Sequence, residues 1–178
     1  MPKTADLQPI VYKDKKGRKI IIRAYGEEDF PKLKEMYDKF KPKGLEAGLP
    51  PIEDRVREQW LNSITSSFYN ILAIHKGKVI GHAGLDLSDP NLCPEYLIFI
   101  KQGYRDAGIG TAMSKLMSQI AHAAGCCKVW LTVRSANTRA IRVFERIKFR
   151  FKGDIDIQRQ MELIIKTTPF SDKDKRRP

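Results

Sequence analysis

The stretch Arg105-Asp106-Ala107-Gly108-Ile109-Gly110 constrains this chain more than any other. The apolar run Tyr96 to Ile100 precedes it and reads as a buried strand. Met113, Leu116, Met117, Ile120 and Ala124 follow on one helical face at i, i+3, i+4, i+7 spacing. The glycines therefore stand where a strand turns into a helix. A helix start exposes backbone N–H groups with no partner inside the helix, and the aligned peptide dipoles add positive potential there. Gly108 and Gly110 lack the Cβ atoms that would hold a phosphate away from those groups, and they reach dihedrals that a tight cradle needs. Two better-known phosphate loops do not fit. A P-loop needs Lys then Ser or Thr where Ile109 and Gly110 follow Gly108, and Met113 stands where the dinucleotide fingerprint has its third glycine.

A second block lies downstream, Ala136-Asn137-Thr138-Arg139-Ala140-Ile141-Arg142-Val143-Phe144-Glu145-Arg146-Ile147-Lys148-Phe149. With the first, and in this order, it resembles the coenzyme A-binding half of the GCN5-related N-acetyltransferases. Their signature is [Arg/Gln]-x-x-Gly-x-[Gly/Ala] between a strand and a long helix, then Asn-x-x-Ala-x-x-x-Tyr-x-x-x-Gly-Phe. The resemblance runs from Glu95 to Phe149, is weaker over Lys19 to Leu87, and is absent from the charged C-terminal tail. It implies an α/β fold with a mostly antiparallel mixed sheet of about seven strands and about four flanking helices. The strands ending at Ile100 and beginning at Lys128 should splay to admit the pantetheine arm of acetyl-CoA. The resemblance also implies acetyl-CoA as co-substrate, no metal, and direct transfer of acetyl to a primary amine on a small molecule, a protein lysine or a protein N-terminus. The diphosphate would lie on Arg105, Asp106, Ala107, Gly108, Ile109, Gly110 and Thr111. Backbone groups of Phe99 and Ile100 would bind the arm, an N–H among them polarising the thioester carbonyl. Asn137, Arg139 and Phe144 complete the implied cofactor set.

Glu95, at the head of the strand, is the candidate general base, since burial can raise a carboxyl pKa toward neutrality; the alternative is a solvated strand-edge carboxylate. Asn137 reads as a helix cap, a cofactor contact or both. Arg139, Arg142 and Arg146 share a helix face that is either solvated or directed at a 3′-phosphate. Phe144 stands where the family pattern often has tyrosine, and phenylalanine cannot donate a proton. It is either core packing or a wall of the thioester pocket. Tyr96 and Tyr104 are further tyrosines, neither positioned by sequence to replace it. A non-catalytic acyl-CoA sensor is the alternative function, keeping the cradle without proton-transfer groups.

The rest of the chain reads as one domain over residues 1–170 with a charged tail at 171–178. Hairpins are expected at Ile10 to Lys13 with Arg18 to Arg23, and at Ile71 to Ile74 with Val79 to Leu85. Asp29 should cap a helix carrying Phe30, Leu33, Tyr37 and Phe40 on one face. A second helix starts near Asp54 with Val56, Trp60, Ile64 and Phe68, a strand covers Lys128 to Arg134, and closing strands run from Arg150 to Ile165. The Pro- and Gly-rich stretch Lys41 to Pro51 is a loop and a candidate substrate-facing element, where Glu46, Glu53 or Asp86 could make a local acidic pocket. The formal charge of +12 falls partly in Lys13 to Lys19 and Lys173 to Arg177, read as solvated turns and ends. No aromatic platform accompanies it, so a nucleic-acid partner is not expected. Neither a membrane span nor a signal-peptide core is present, which points to a cytoplasmic protein; a monomer or homodimer is expected. Cys93, Cys126 and Cys127 read as packed thiols, and His75, His82 and His122 as structural.

Overall fold

Continuous apolar runs make strands covered on both faces, and Tyr69–His75 (β3) with Lys78–Leu85 (β4) is such a hairpin. It lies inside a five-stranded antiparallel sheet completed by Ile10–Lys13 (β1), Lys19–Ala24 (β2) and Tyr96–Ile100 (β5), in the order β1-β2-β3-β4-β5. Lys128–Arg134 (β6), Arg150–Lys152 (β7) and Gln158–Ile164 (β8) form a second antiparallel sheet, ordered β6-β8-β7. The structure, a computed structural model, describes residues 7–44, 48–88 and 91–165; Glu46 and the 171–178 tail lie outside these. Among the described residues eight strands form, in keeping with the seven or so that the resemblance implies, the closing strands being β7 and β8. Among the described residues, no helix is long and apolar enough to cross a membrane.

Helices cover both faces of the sheet. Phe30–Asp38 (α1) and Asp54–Ser67 (α2) pack Leu33, Met36, Tyr37, Leu61 and Ile64 against Leu72, Val79 and Phe99. Ile109–Ala123 (α3) and Thr138–Arg146 (α4) bring Ile109, Met113, Met117 and Phe144 to the other cluster, with Ile20, Ile71, Ile80 and Val133. Two expectations need correction. Asp29 makes no side-chain cap; its carboxylate accepts the Gly26 N–H at 3.0 Å and a two-pronged bond from Arg23 at 2.6 and 2.7 Å. The stripe on α2 is rotated, with Arg57, Leu61 and Ile64 inward and Val56 exposed. An arginine goes inward only when it is paired, and Arg57 meets Asp38, Asp54 and two backbone carbonyls.

The end of α4 shows what the missing glycine at Lys148 costs. Phe149 N–H bonds the Phe144 carbonyl and Lys148 N–H the Glu145 carbonyl, both at 3.0 Å, closing the helix with a left-handed residue at Lys148, φ 75°. α3 ends the same way, but with Gly125 at φ 79°. A left-handed non-glycine residue costs about 1–2 kcal/mol, while glycine gives back about 0.5–1 through chain entropy. Lys148→Gly should therefore raise the melting temperature by about 1–4 °C. A fall in thermal melts would contradict this account of the turn.

Under the sheet, a polar chain is buried and fully paired. Asn70 Nδ2 donates to the Ile64 and Phe68 carbonyls at 2.9 and 2.7 Å, which turns its Oδ1 toward His82 Nε2 at 2.9 Å. His82 thus donates from Nε2 and accepts from the Tyr37 hydroxyl at Nδ1, 2.7 Å away. Burial holds the imidazole neutral, its pKa depressed from 6.5 to about 3. Below about pH 6.5 the unfolded chain binds a proton here that the native state refuses. The contribution of neutral His82 is therefore complete above that pH and falls by about 1.4 kcal/mol per pH unit beneath it. Urea unfolding at pH 7 and pH 5 should show the wild type losing about 2 kcal/mol more than His82→Gln, and equal losses would refute it.

Candidate active site

The two sheets meet through β5 and β6, which run parallel and share a single bridge, Glu95 with Trp130, among the described residues. Trp130 N–H bonds the Pro94 carbonyl at 3.1 Å, and the Trp130 indole N–H the Cys93 carbonyl at 3.0 Å. Past this rung both strands keep an open edge, forming a cleft closed at Glu95 and open toward Ile100. This is the splay that the family resemblance implies. Register decides which backbone groups face it. Lys101 N–H bonds the Ile80 carbonyl and Asp86 N–H the Glu95 carbonyl, and β4 pairs with β5 without a shift. In an antiparallel ladder such pairs recur every second residue, so Leu97 and Phe99 turn their N–H and C=O to β4. Tyr96, Ile98 and Ile100 turn theirs into the cleft. Phe99 thus directs its backbone groups to β4, and its side chain packs edge-on against Tyr37, Phe40 and Trp60; the neighbouring Ile98 is the residue whose backbone faces the cleft. On β6 the same alternation, fixed by Ile165 N–H on the Cys127 carbonyl, turns Trp130 into the closing rung and presents Thr132 to the open part of the cleft.

The open end of the cleft leads into the cradle. Asp106 and Gly108 have φ 60° and 85°, folding residues 105–108 back so that α3 begins at Ile109. The first N–H to bond inside the helix is that of Ala112, to the Gly108 carbonyl. Ala107 and Ile109 are buried and anchor the loop from beneath. A Cβ on Gly108 would come within 2.5 Å of the Tyr12 hydroxyl, whereas one on Gly110 would meet only ordinary contacts with Ile100 and Val143. Gly108 is thus favoured by its left-handed backbone, and a side chain there would also have to displace the Tyr12 hydroxyl. Thr111, in the first turn of α3, stands beside them. The Arg105 guanidinium bonds the Ile100 carbonyl at 2.8 Å and the Lys41 carbonyl at 2.5 Å, and lies over Phe40. Burial and the neighbouring Arg139 charge lower its pKa, with Asp106 acting the other way. Arg139, exposed on α4, pairs with Asp106 at 3.1 Å, and Asn137 caps α4 by accepting the Ala140 N–H at 3.2 Å.

Sequence reasoning missed the support under the cradle. The turn Asp14 to Gly17 is not merely solvated, because Asp14 is buried and accepts the N–H groups of Lys16 and Arg18 and the Arg18 Nε. Lys15 N–H bonds the Ala107 carbonyl at 3.0 Å, Arg18 bonds the Gly103 carbonyl, and its guanidinium covers Tyr104. Only tertiary contact distinguishes this turn from a frayed one.

At the closed end, Glu95 is half-buried, and its pKa is raised, first by burial and then by the Asp86 charge. The tyrosines are otherwise engaged. Tyr96 is buried with its hydroxyl on Ser114 Oγ at 2.8 Å, and Tyr104 bonds His75 Nδ1 at 2.9 Å. Phe144 is buried between Tyr96 and Phe149 as core packing. From the helical side Gly48 reaches the cleft, since at φ 81° it lies so near the Thr132 carbonyl that a Cβ would stand 3.2 Å from it. Among the described residues, no three His, Cys, Asp or Glu side chains gather as a metal site.

The model of the acetyltransferase (GNAT) family matches residues 30–149. The chain is 30% identical over 67 residues to a spermine/spermidine N(1)-acetyltransferase of Bacillus subtilis, covering 37% of this chain and 44% of that protein. It is 28% identical over 83 residues to an uncharacterized N-acetyltransferase of Mycobacterium bovis, covering 47% and 53%. The chain thus spans about half the length of the curated relatives it matches. In fold it is similar to the GNAT domain of S. lividans PAT, TM-score 0.77 at 15% identity, over 88% of this chain and 96% of that one. It is also similar to the putative acetyltransferase yncA of Salmonella typhimurium, solved with acetyl-CoA, TM-score 0.66 at 14% identity, over 83% and 94%.

Proposed function

The chain belongs to the acetyltransferase (GNAT) family, and from that premise we propose that it transfers the acetyl group of acetyl-CoA directly to a primary amine. The observation that carries this reading is the cleft between β5 and β6, which opens onto the start of α3. The diphosphate lies on the first N–H groups of α3, with residues 105–111 around it, and its charge relieves the opposition of Arg105 and Arg139. The pantetheine arm continues the β5 ladder through Ile98 and Ile100, and an N–H of that edge stabilises the charge that develops on the thioester oxygen.

At the closed end Glu95 accepts a proton from the attacking amine, directly or through a water. The nitrogen bonds the carbonyl carbon, and coenzyme A leaves as a thiolate that solvent protonates. Holding both reactants in one cleft supplies much of the rate. The Asp86 and Glu95 carboxylates draw a cationic amine toward this end, in keeping with the polyamine named for the Bacillus relative. Engagement of Tyr96 and Tyr104, and the burial of Phe144, favour a second reading as an acyl-CoA sensor.

Thermal melting with acetyl-CoA, and thiol release across a panel of polyamines, amino acids and peptides, tests both. Acetyl-CoA should raise the melting temperature, and at least one amine should accelerate thiol release above hydrolysis. Binding without turnover across the panel would favour the sensor, and the absence of any shift with acetyl-CoA would remove both readings.

A further inference from the structure

Of the three cysteines only Cys126 is packed in the core; Cys93 is half-buried and Cys127 exposed. Their placement follows from the rung that joins the sheets. Cys93 lies two residues before Glu95 and Cys127 begins the segment entering β6, so the parallel pairing that sets Glu95 beside Trp130 brings both to one end of the cleft. Cys127 N–H bonds the Leu92 carbonyl at 3.1 Å, and the Trp130 indole holds the Cys93 carbonyl. The two Sγ atoms are 3.0 Å apart, about 1 Å beyond a covalent bond. Lys128, the next residue after Cys127, donates from its ammonium to Glu162 at 3.0 Å, which raises its pKa.

We propose that Cys93 and Cys127 form a dithiol–disulfide site that, when oxidised, covalently ties the two sheets together at the closed end of the cleft. Backbone bonds already hold the two segments, so little rearrangement separates the reduced and bridged forms. The co-reactant is a low-molecular-weight disulfide such as glutathione disulfide. The exposed Cys127, as thiolate, attacks one sulfur; the glutathione S–S bond breaks and one glutathione thiolate leaves. Cys93 loses its proton, attacks the Cys127 sulfur, and expels the second. Two protein thiols are oxidised, one disulfide is reduced to two thiols, and the protons released are taken up by the leaving thiolates.

The bridge closes a loop of roughly 35 residues holding β5, the cradle and α3, so it should restrict the unfolded chain and raise the melting temperature by several degrees. The test equilibrates the full chain in glutathione buffers from reducing to oxidising, quenches with acid, alkylates, and reads intact mass, peptide map and melting temperature. At the oxidising end the wild type should carry two fewer alkyl groups than at the reducing end, yield a Cys93–Cys127 cross-linked peptide and melt higher. Cys93→Ser and Cys127→Ser should show neither the bridge nor the rise. Alkylation of both cysteines throughout, a stable glutathione adduct on Cys127, or a dimer linked through it would each overturn the proposal. None of these readouts involves acyl transfer, so the result stands apart from the fate of the proposed function.

Discussion

Glu95→Gln lowers kcat for the best amine by about 10²–10⁴-fold, the range that a positioned general base supplies, and leaves acetyl-CoA affinity within about twofold. The amide keeps the shape and the backbone rung to Trp130 but cannot accept a proton. Folding is not at risk. Burial and Asp86 both disfavour the charged carboxylate, so ionised Glu95 opposes stability as the pH rises past its unfolded pKa, and the amide removes that opposition. The variant should therefore melt no lower than the wild type at pH 7, which separates a chemical loss from a structural one.

The pH profile discriminates further. In the wild type, kcat/KM should rise with pH through a group titrating above the ordinary glutamate range. Asp86→Asn, which removes the second cause of the raised pKa, should move that limb to lower pH, and Glu95→Gln should abolish it. A wild-type profile retained in Glu95→Gln would show that the base lies elsewhere.

What could be read beforehand divides along a physical line. Gly108 and the helix after it declared themselves because a left-handed turn and an apolar stripe are local properties. Glu95 was visible as the carboxylate heading the same strand. The edge groups were not, since exchanging Phe99 for Ile98 depends on how β5 registers on β4, a non-local fact that a shift of one residue inverts. The Asp14 turn, the Tyr37–His82–Asn70 chain and the Cys93–Cys127 contact share that dependence. Each joins segments distant in sequence, and composition gives no distance between them. Phe144 illustrates the reverse case. Read through the family pattern it invited a role at the thioester, yet its apolar ring does what its chemistry alone suggests and packs under Tyr96.

Arg57 carries the largest stability prediction. Its side chain is 1% exposed in a helix whose pattern argued for Val56 instead. Nη2 bonds Asp38 and Asp54 at 2.6 Å each, and Nη1 bonds the Pro51 and Ile52 carbonyls at 3.2 and 2.9 Å. Burial would raise the Asp38 pKa, but the bonds from Arg57 and Lys34 outweigh it and hold it below the usual range. Truncation as Arg57→Ala leaves a cavity and strips four acceptors of their donor. Breaking a buried pair in this way costs about 3–5 kcal/mol. Asp54 is 88% exposed and recovers its hydration, which places the expectation near the lower end, about 3 kcal/mol, or a fall of about 6–12 °C in melting temperature.

Arg57→Lys keeps the charge but loses the planar fork, and should fall between the wild type and alanine. The two carbonyls follow closely on Gly48, which lies against Thr132, so freeing them loosens the wall of the cleft away from the cradle. KM for the amine should then rise more than KM for acetyl-CoA. A loss below about 1 kcal/mol, as for an exposed pair, would mean that water replaces the guanidinium and that the loop does not depend on it.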